Sequence, residues 1–131
     1  MNTNSWRSFL INMNVKPLSN LMGAEITGLD LNKVIDEETK KNLLKTLTDY
    51  LVICIKQQKL SPEKLCEVAR IFGKPKKYFV KDETIEGNPE VIIVSNRTKE
   101  NIPRVYASHW HTDDSYREKP ATLTFIYPDI L

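Results

Sequence analysis

Between Asp36 and Phe72 the chain spells out helix, strand and helix with little chain between them, which restricts it to folds that pack helices on a sheet. Asp36 is an N-cap residue followed by Glu37 and Glu38, acidic groups that suit the positive end of a helix dipole. Leu43, Leu44, Leu47, Tyr50 and Leu51 follow at helical spacing and predict one buried face. Leu51-Val52-Ile53-Cys54-Ile55 then reads as a strand covered on both sides, and Lys56 to Lys59 as a polar turn. Ser61 caps a second helix, with Pro62 at its first position where a missing N–H costs nothing. Leu65, Val68, Ala69 and Phe72 make its inward stripe, and Gly73 with Pro75 ends it.

Around this centre the signals are shorter. Gly23 and Gly28 bracket an alternating run that predicts a small strand between tight turns. Residues 74–90 read as a long loop, Val91-Ile92-Ile93-Val94 as a buried strand, and Ala121 to Tyr127 as an alternating strand closed by Pro128. Residues 1–14 form an N-terminal extension with a weak amphipathic signal, and residues 15–131 a single domain or part of one. Leu43, Leu47, Val52, Leu65, Val68, Phe72 and Ile92 are expected to be buried.

A net charge of +2 is too small to build a nucleic-acid or membrane surface, and no apolar run reaches the 18 residues of a membrane span. The lysines at 40–41 and 76–77 read as solvated faces. Cys54 and Cys66 make no Cys-x-x-Cys pair and each sits in an apolar pattern, so both are expected as buried free thiols. Free thiols, and a start without a basic, apolar signal sequence, fit a reducing cytoplasm.

The chemistry concentrates in Trp110-His111-Thr112-Asp113-Asp114-Ser115-Tyr116. In an extended segment His111 and Asp113 point to one side with β carbons about 7 Å apart, so one small cation could bridge them. An imidazole beside a carboxylate suits a non-haem Fe(II) centre, where two His and one carboxylate hold one face of an octahedron. A bare His-x-Asp also recurs by chance, so the spacing only nominates the pair. The other histidine, His109, would lie about 13 Å from Asp113 on an extended strand, whereas two ligands of one metal span about 10 Å between β carbons. A sharp bend at 110–112 would be needed to recruit it.

Together these stretches resemble the TauD/TfdA family of Fe(II)- and 2-oxoglutarate-dependent dioxygenases. The resemblance rests on Gly23-Ala24-Glu25-Ile26-Thr27-Gly28-Leu29-Asp30-Leu31, on Leu60-Ser61-Pro62-Glu63 with Ala69-Arg70-Ile71-Phe72-Gly73, on Pro89-Glu90-Val91, and above all on Trp110-His111-Thr112-Asp113. It implies that His111 and Asp113 are metal ligands for Fe(II), with 2-oxoglutarate as cosubstrate and oxidative hydroxylation of a small organic acid as the reaction. The family's third ligand is a distant downstream His followed by an Arg that pairs with 2-oxoglutarate, and its Gly-Gly-Asp-Thr turn would begin just beyond Leu131. The resemblance therefore implies the front part of such an enzyme, completed by a second chain or cut short. The alternative is a non-catalytic remnant or interaction module. Taurine-binding members carry a His where this chain reads Lys76-Lys77-Tyr78-Phe79, which argues against taurine. Asn96 and Tyr116 are candidates for lining a substrate pocket, with packing as the other use of Tyr116. The expected fold class is α+β: N-terminal helices plus the opening strands of a double-stranded β-helix (jelly roll), incomplete.

Overall fold

A computed structural model describes residues 13–78, 83–96, 100–103, 105 and 109–128. The amphipathic stretch before Met13, together with Phe79 and Arg97, lies outside them. The described residues form a mixed fold of two helices and five strands in two small sheets. The chain divides into two compact units, Met1–Phe72 and Gly73–Leu131.

The first unit is built on strands β1 (Asn14–Pro17), β2 (Ala24–Thr27) and β3 (Ile53–Ile55), with helices α1 (Glu37–Tyr50) and α2 (Pro62–Phe72). β1 runs antiparallel to β2, with Val15 opposite Ile26 and Pro17 opposite Ala24. Their connection is locked locally: Ser19 Oγ accepts from the Met22 amide at 3.0 Å and donates to the Met22 carbonyl at 2.6 Å. Gly23 closes it at φ 90, a backbone state that disfavours any side chain. β2 pairs parallel with β3, Ala24 opposite Ile53 and Ile26 opposite Ile55, and α1 supplies the crossover such a pairing needs. Ile26 and Leu43 are fully buried; with Leu29, Leu31 and Val68 they form the core. Met13, Val15, Ile53, Ile55, Ile71 and Phe72 pack against it.

Both expected caps are present. Asp36 Oδ1 accepts from the Thr39 amide at 2.7 Å, and Ser61 Oγ from the Lys64 amide at 3.2 Å. The face of α1 differs from the expectation. Thr39, Leu43 and Thr46 are buried and Leu47 and Tyr50 half-buried, while Leu44 and Leu51 are exposed. One residue on from Leu43 is a turn of about 100° around the helix, and that carries Leu44 off the inward stripe. Thr46 is tolerated inside because its hydroxyl donates to the Asn42 carbonyl at 2.7 Å.

Leu51 is the C-cap, at φ 65, with its amide on the Leu47 carbonyl. This cap consumes the first two residues of the apolar run, so Val52 is 54% exposed rather than buried. β3 is an edge strand with one covered face, not a strand enclosed on both sides. Ile53 and Ile55 point inward and Cys54 outward, which leaves Cys54 exposed rather than buried; Cys66 is buried as expected, and neither stands in a disulfide. Of the other residues expected inside, Val68 and Leu43 are buried, and Leu47, Leu65, Phe72 and Ile92 are half-buried.

Gln58, read from sequence as part of a polar turn, is a structural clamp. Its Oε1 accepts from the Leu31 amide at 2.9 Å, and its Nε2 donates to the carbonyls of Leu29 at 2.7 Å and Lys56 at 2.6 Å. These bonds satisfy backbone groups of the loop that brings Leu29 and Leu31 into the core.

In the second unit, β4 (Thr84–Ile85) and β5 (Asn88–Ile92) form an antiparallel hairpin with Gly87 at φ 80 in its turn. The stretch 74–90 is thus not all loop, and the strand expected at Val91–Val94 is shifted to Asn88–Ile92, leaving Ile93 49% and Val94 72% exposed. In the stretch Ala121 to Tyr127 the expected alternation holds only in part, with Leu123 and Tyr127 half-buried but Phe125 exposed, and no ladder forms among the described residues. Alternation selects a face; a strand also needs a neighbour to hydrogen-bond. Among the described residues of this unit only Asn88 is buried, so every residue of the apolar core belongs to the first unit.

Candidate metal-ligand pair

The candidate pair sits where an irregular extended segment enters a turn over Asp113 to Tyr116. Asp114 at φ 56 reverses the chain, and the Arg117 amide closes the turn on the Asp114 carbonyl at 2.9 Å. His111 and Asp113 lie on one side of it, with His111 Nε2 3.3 Å from Asp113 Oδ1. Both side chains are about half exposed, at 45% and 54%.

Each is oriented from behind. His111 Nδ1 is 3.0 Å from the His109 carbonyl, which can only accept, so this contact is favourable when Nδ1 carries the proton. Nε2 then turns its lone pair toward Asp113 Oδ1, so that one cation between them could take both atoms. On the other side, the Thr124 hydroxyl donates to Asp113 Oδ2 at 2.9 Å and leaves Oδ1 facing the imidazole. Two donors at neighbouring corners of an octahedron with bonds of about 2.1 Å stand about 3 Å apart, close to what the pair presents. One nitrogen and one oxygen donor fit two of the three protein positions of an Fe(II) facial site. Among the described residues no third His, Cys, Asp or Glu joins them in a cluster able to hold a metal. The ring of His109 packs edge-on to His111 at 5.9 Å between centroids.

The residue after the pair is the more enclosed one. Asp114, its side chain 11% exposed, accepts from Lys76 Nζ at 2.5 Å through Oδ2, and from Arg117 Nε at 3.2 Å and the Tyr116 hydroxyl at 3.4 Å through Oδ1. The Lys76 hydrogen bond holds the Asp114 carboxyl below its ordinary range, against the opposing pull of desolvation. Lys76 also lies over the Tyr78 ring at 4.7 Å, and Arg117 over Tyr116 at 5.3 Å. Lys76 is therefore not a solvated lysine as its sequence context suggests, whereas Lys77 is exposed. Tyr116 is 81% exposed, packed into no core among the described residues. Asn96 is exposed in the bend after β5, and among the described residues no hydrogen bond joins it to His111 or Asp113. Thr124 and Lys76 are the contributors that sequence reading missed. Thr124 could have been found from the alternation of 121–127, but nothing local points from Lys76 to a carboxylate 38 residues away.

The sequence pattern of the taurine catabolism dioxygenase TauD, TfdA family matches residues 14–128. Pentalenolactone F synthase of Streptomyces avermitilis is 26% identical over 111 residues, covering 80% of this chain and 36% of that protein. A taurine dioxygenase structure from Burkholderia xenovorans superposes with a TM-score of 0.67 at 26% identity, over 82% of this chain and 37% of that one. A second protein of that organism, assigned as an alpha-ketoglutarate-dependent taurine dioxygenase, gives a TM-score of 0.58 at 29% identity over 61% and 29%. The chain spans about a third of the length of these relatives.

Proposed function

Since the chain belongs to the taurine catabolism dioxygenase TauD, TfdA family, we propose that His111 and Asp113 are two ligands of an Fe(II) centre that hydroxylates a small organic acid at the expense of O2 and 2-oxoglutarate. The observation that carries this reading is the 3.3 Å approach of His111 Nε2 to Asp113 Oδ1, each held from behind by a group that leaves the facing atom free. Iron bound there supplies the oxidative chemistry. This chain's own part is orientation: the His109 carbonyl fixes the imidazole tautomer, and the Thr124 hydroxyl fixes the carboxylate rotamer. The third ligand and the groups that grip 2-oxoglutarate come, on this reading, from a further segment or a second chain. Asn96 and the exposed Tyr116 are the residues proposed to line the substrate's approach. Lys76 is committed to Asp114, and no imidazole stands at that position in the loop after α2, so taurine is not the proposed substrate. We propose the cytoplasm as its location; Cys54 and Cys66 stand in no disulfide, and no helix among the described residues is long and apolar enough to cross a membrane.

The second reading is a non-catalytic module that retains the family's fold; among the described residues no third His, Cys, Asp or Glu stands with the pair. An anaerobic incubation with Fe(II), followed by O2 and 2-oxoglutarate and an assay for succinate, separates the readings. The chain alone is expected to bind Fe(II) weakly and to form no succinate. Addition of a polypeptide that carries the family's downstream His and Arg should bring activity that His111→Ala abolishes. Succinate from the chain alone would overturn the incomplete site, and silence after complementation would leave the non-catalytic module.

A further inference from the structure

We propose that Lys76, Asp114 and Arg117 form an ionic clasp that positions His111 against Asp113, with Asp114 as its centre. Asp114 is no candidate for a ligand itself, because its carboxylate already accepts from Lys76, Arg117 and Tyr116 and its side chain is far more enclosed than those of His111 and Asp113. What it controls is the direction of the chain. Its left-handed backbone, which Asp tolerates better than most residues, reverses the segment directly after Asp113 and sets where that carboxylate points. Among the described residues of the second unit no apolar side chain is fully buried, and the contacts seen on this turn are the charged ones. Lys76 lies in the segment 74–78, which the Tyr78 amide fastens to the Pro89 carbonyl of β5 at 2.8 Å, so the clasp ties the turn to the hairpin. The ring contacts of Lys76 with Tyr78 and Arg117 with Tyr116 hold both cations ready for the carboxylate.

The consequence for metal binding rests on the ligand reading above, whereas the geometry can be followed without metal. In the metal-free full chain, the ring nitrogens of His111 are expected to show one tautomer by NMR. Lys76→Met should average those signals toward free imidazole values, and Lys76→Arg should restore them. Mn(II), used as the probe ion, should bind Lys76→Met on the order of tenfold more weakly than the parent, with most of the affinity recovered in Lys76→Arg. His111 signals that stay unchanged in Lys76→Met overturn the clasp, as does Mn(II) affinity that depends on His111 but not on Lys76. If the parent chain binds Mn(II) equally after His111→Ala, the ligand reading fails while the ring signals still decide the clasp. Arg117→Met, which removes the second cation from the other side, carries the same comparison should Lys76→Met fail to fold.

Discussion

Single side chains at two places in this chain do the work of fixing direction. Asp36 caps α1 through the Thr39 amide, and the hydrogen bonds from Thr39 draw its carboxyl below the ordinary value of 3.8. A carboxyl depressed in the fold adds stability above its unfolded pKa and gives it up as pH falls through the folded one. Helicity followed by circular dichroism should therefore decline below about pH 4 in the parent, and that part of the decline should be missing in Asp36→Asn. At the second place the Thr124 hydroxyl donates to Asp113 Oδ2 and sets which way that carboxylate faces. Thr124→Val keeps the shape and removes the donor, so Mn(II) affinity should drop about 10- to 100-fold with the thermal midpoint little changed, as titration calorimetry and a melt would show. The caps were legible because donor and acceptor lie within one turn of each other in sequence. His111 and Asp113 were legible as a pair for the same reason. The Lys76 partner of Asp114 was not, because an ion pair across 38 residues leaves no periodic trace.

Elements show where a local signal ends and tertiary context takes over. Leu43 and Leu44 are equally apolar neighbours, yet one is fully buried and the other 38% exposed. Leu43→Ala should cost about 2 to 5 kcal/mol in urea denaturation, and Leu44→Ala less than about 1 kcal/mol. Gln58→Ala removes the donors and acceptor that join Leu29, Leu31 and Lys56, and should cost about 1 to 3 kcal/mol in the same experiment. Both helices could be read because caps and stripes sit in one segment. Strand pairing could not: the run from Leu51 to Ile55 announces a strand but not that Leu51 will end a helix, or that β3 will be an edge. The hairpin of β4 and β5 went unread because two- to five-residue strands around Gly87 carry too few side chains to establish a period.

At the scale of the whole molecule the two units are made differently. The first buries Ile26, Leu43 and Val68 around its sheet, and the second holds His111 and Asp113 and, among its described residues, no buried apolar side chain. Ile93, Val94, Phe125 and Ile126 are exposed there, an apolar surface that favours association. Sedimentation of the purified chain should show self-association that rises with concentration and weakens in Ile126→Lys. The difference between the units should also be visible in time. Backbone amides placed in deuterium exchange through openings whose cost follows local burial, so the chain should run on two clocks. Amides of β2 and α1 should hold their protons longest, while those of the hairpin and of the turn around Asp114 give theirs up early, and a cation held between His111 and Asp113 should slow the second clock without touching the first.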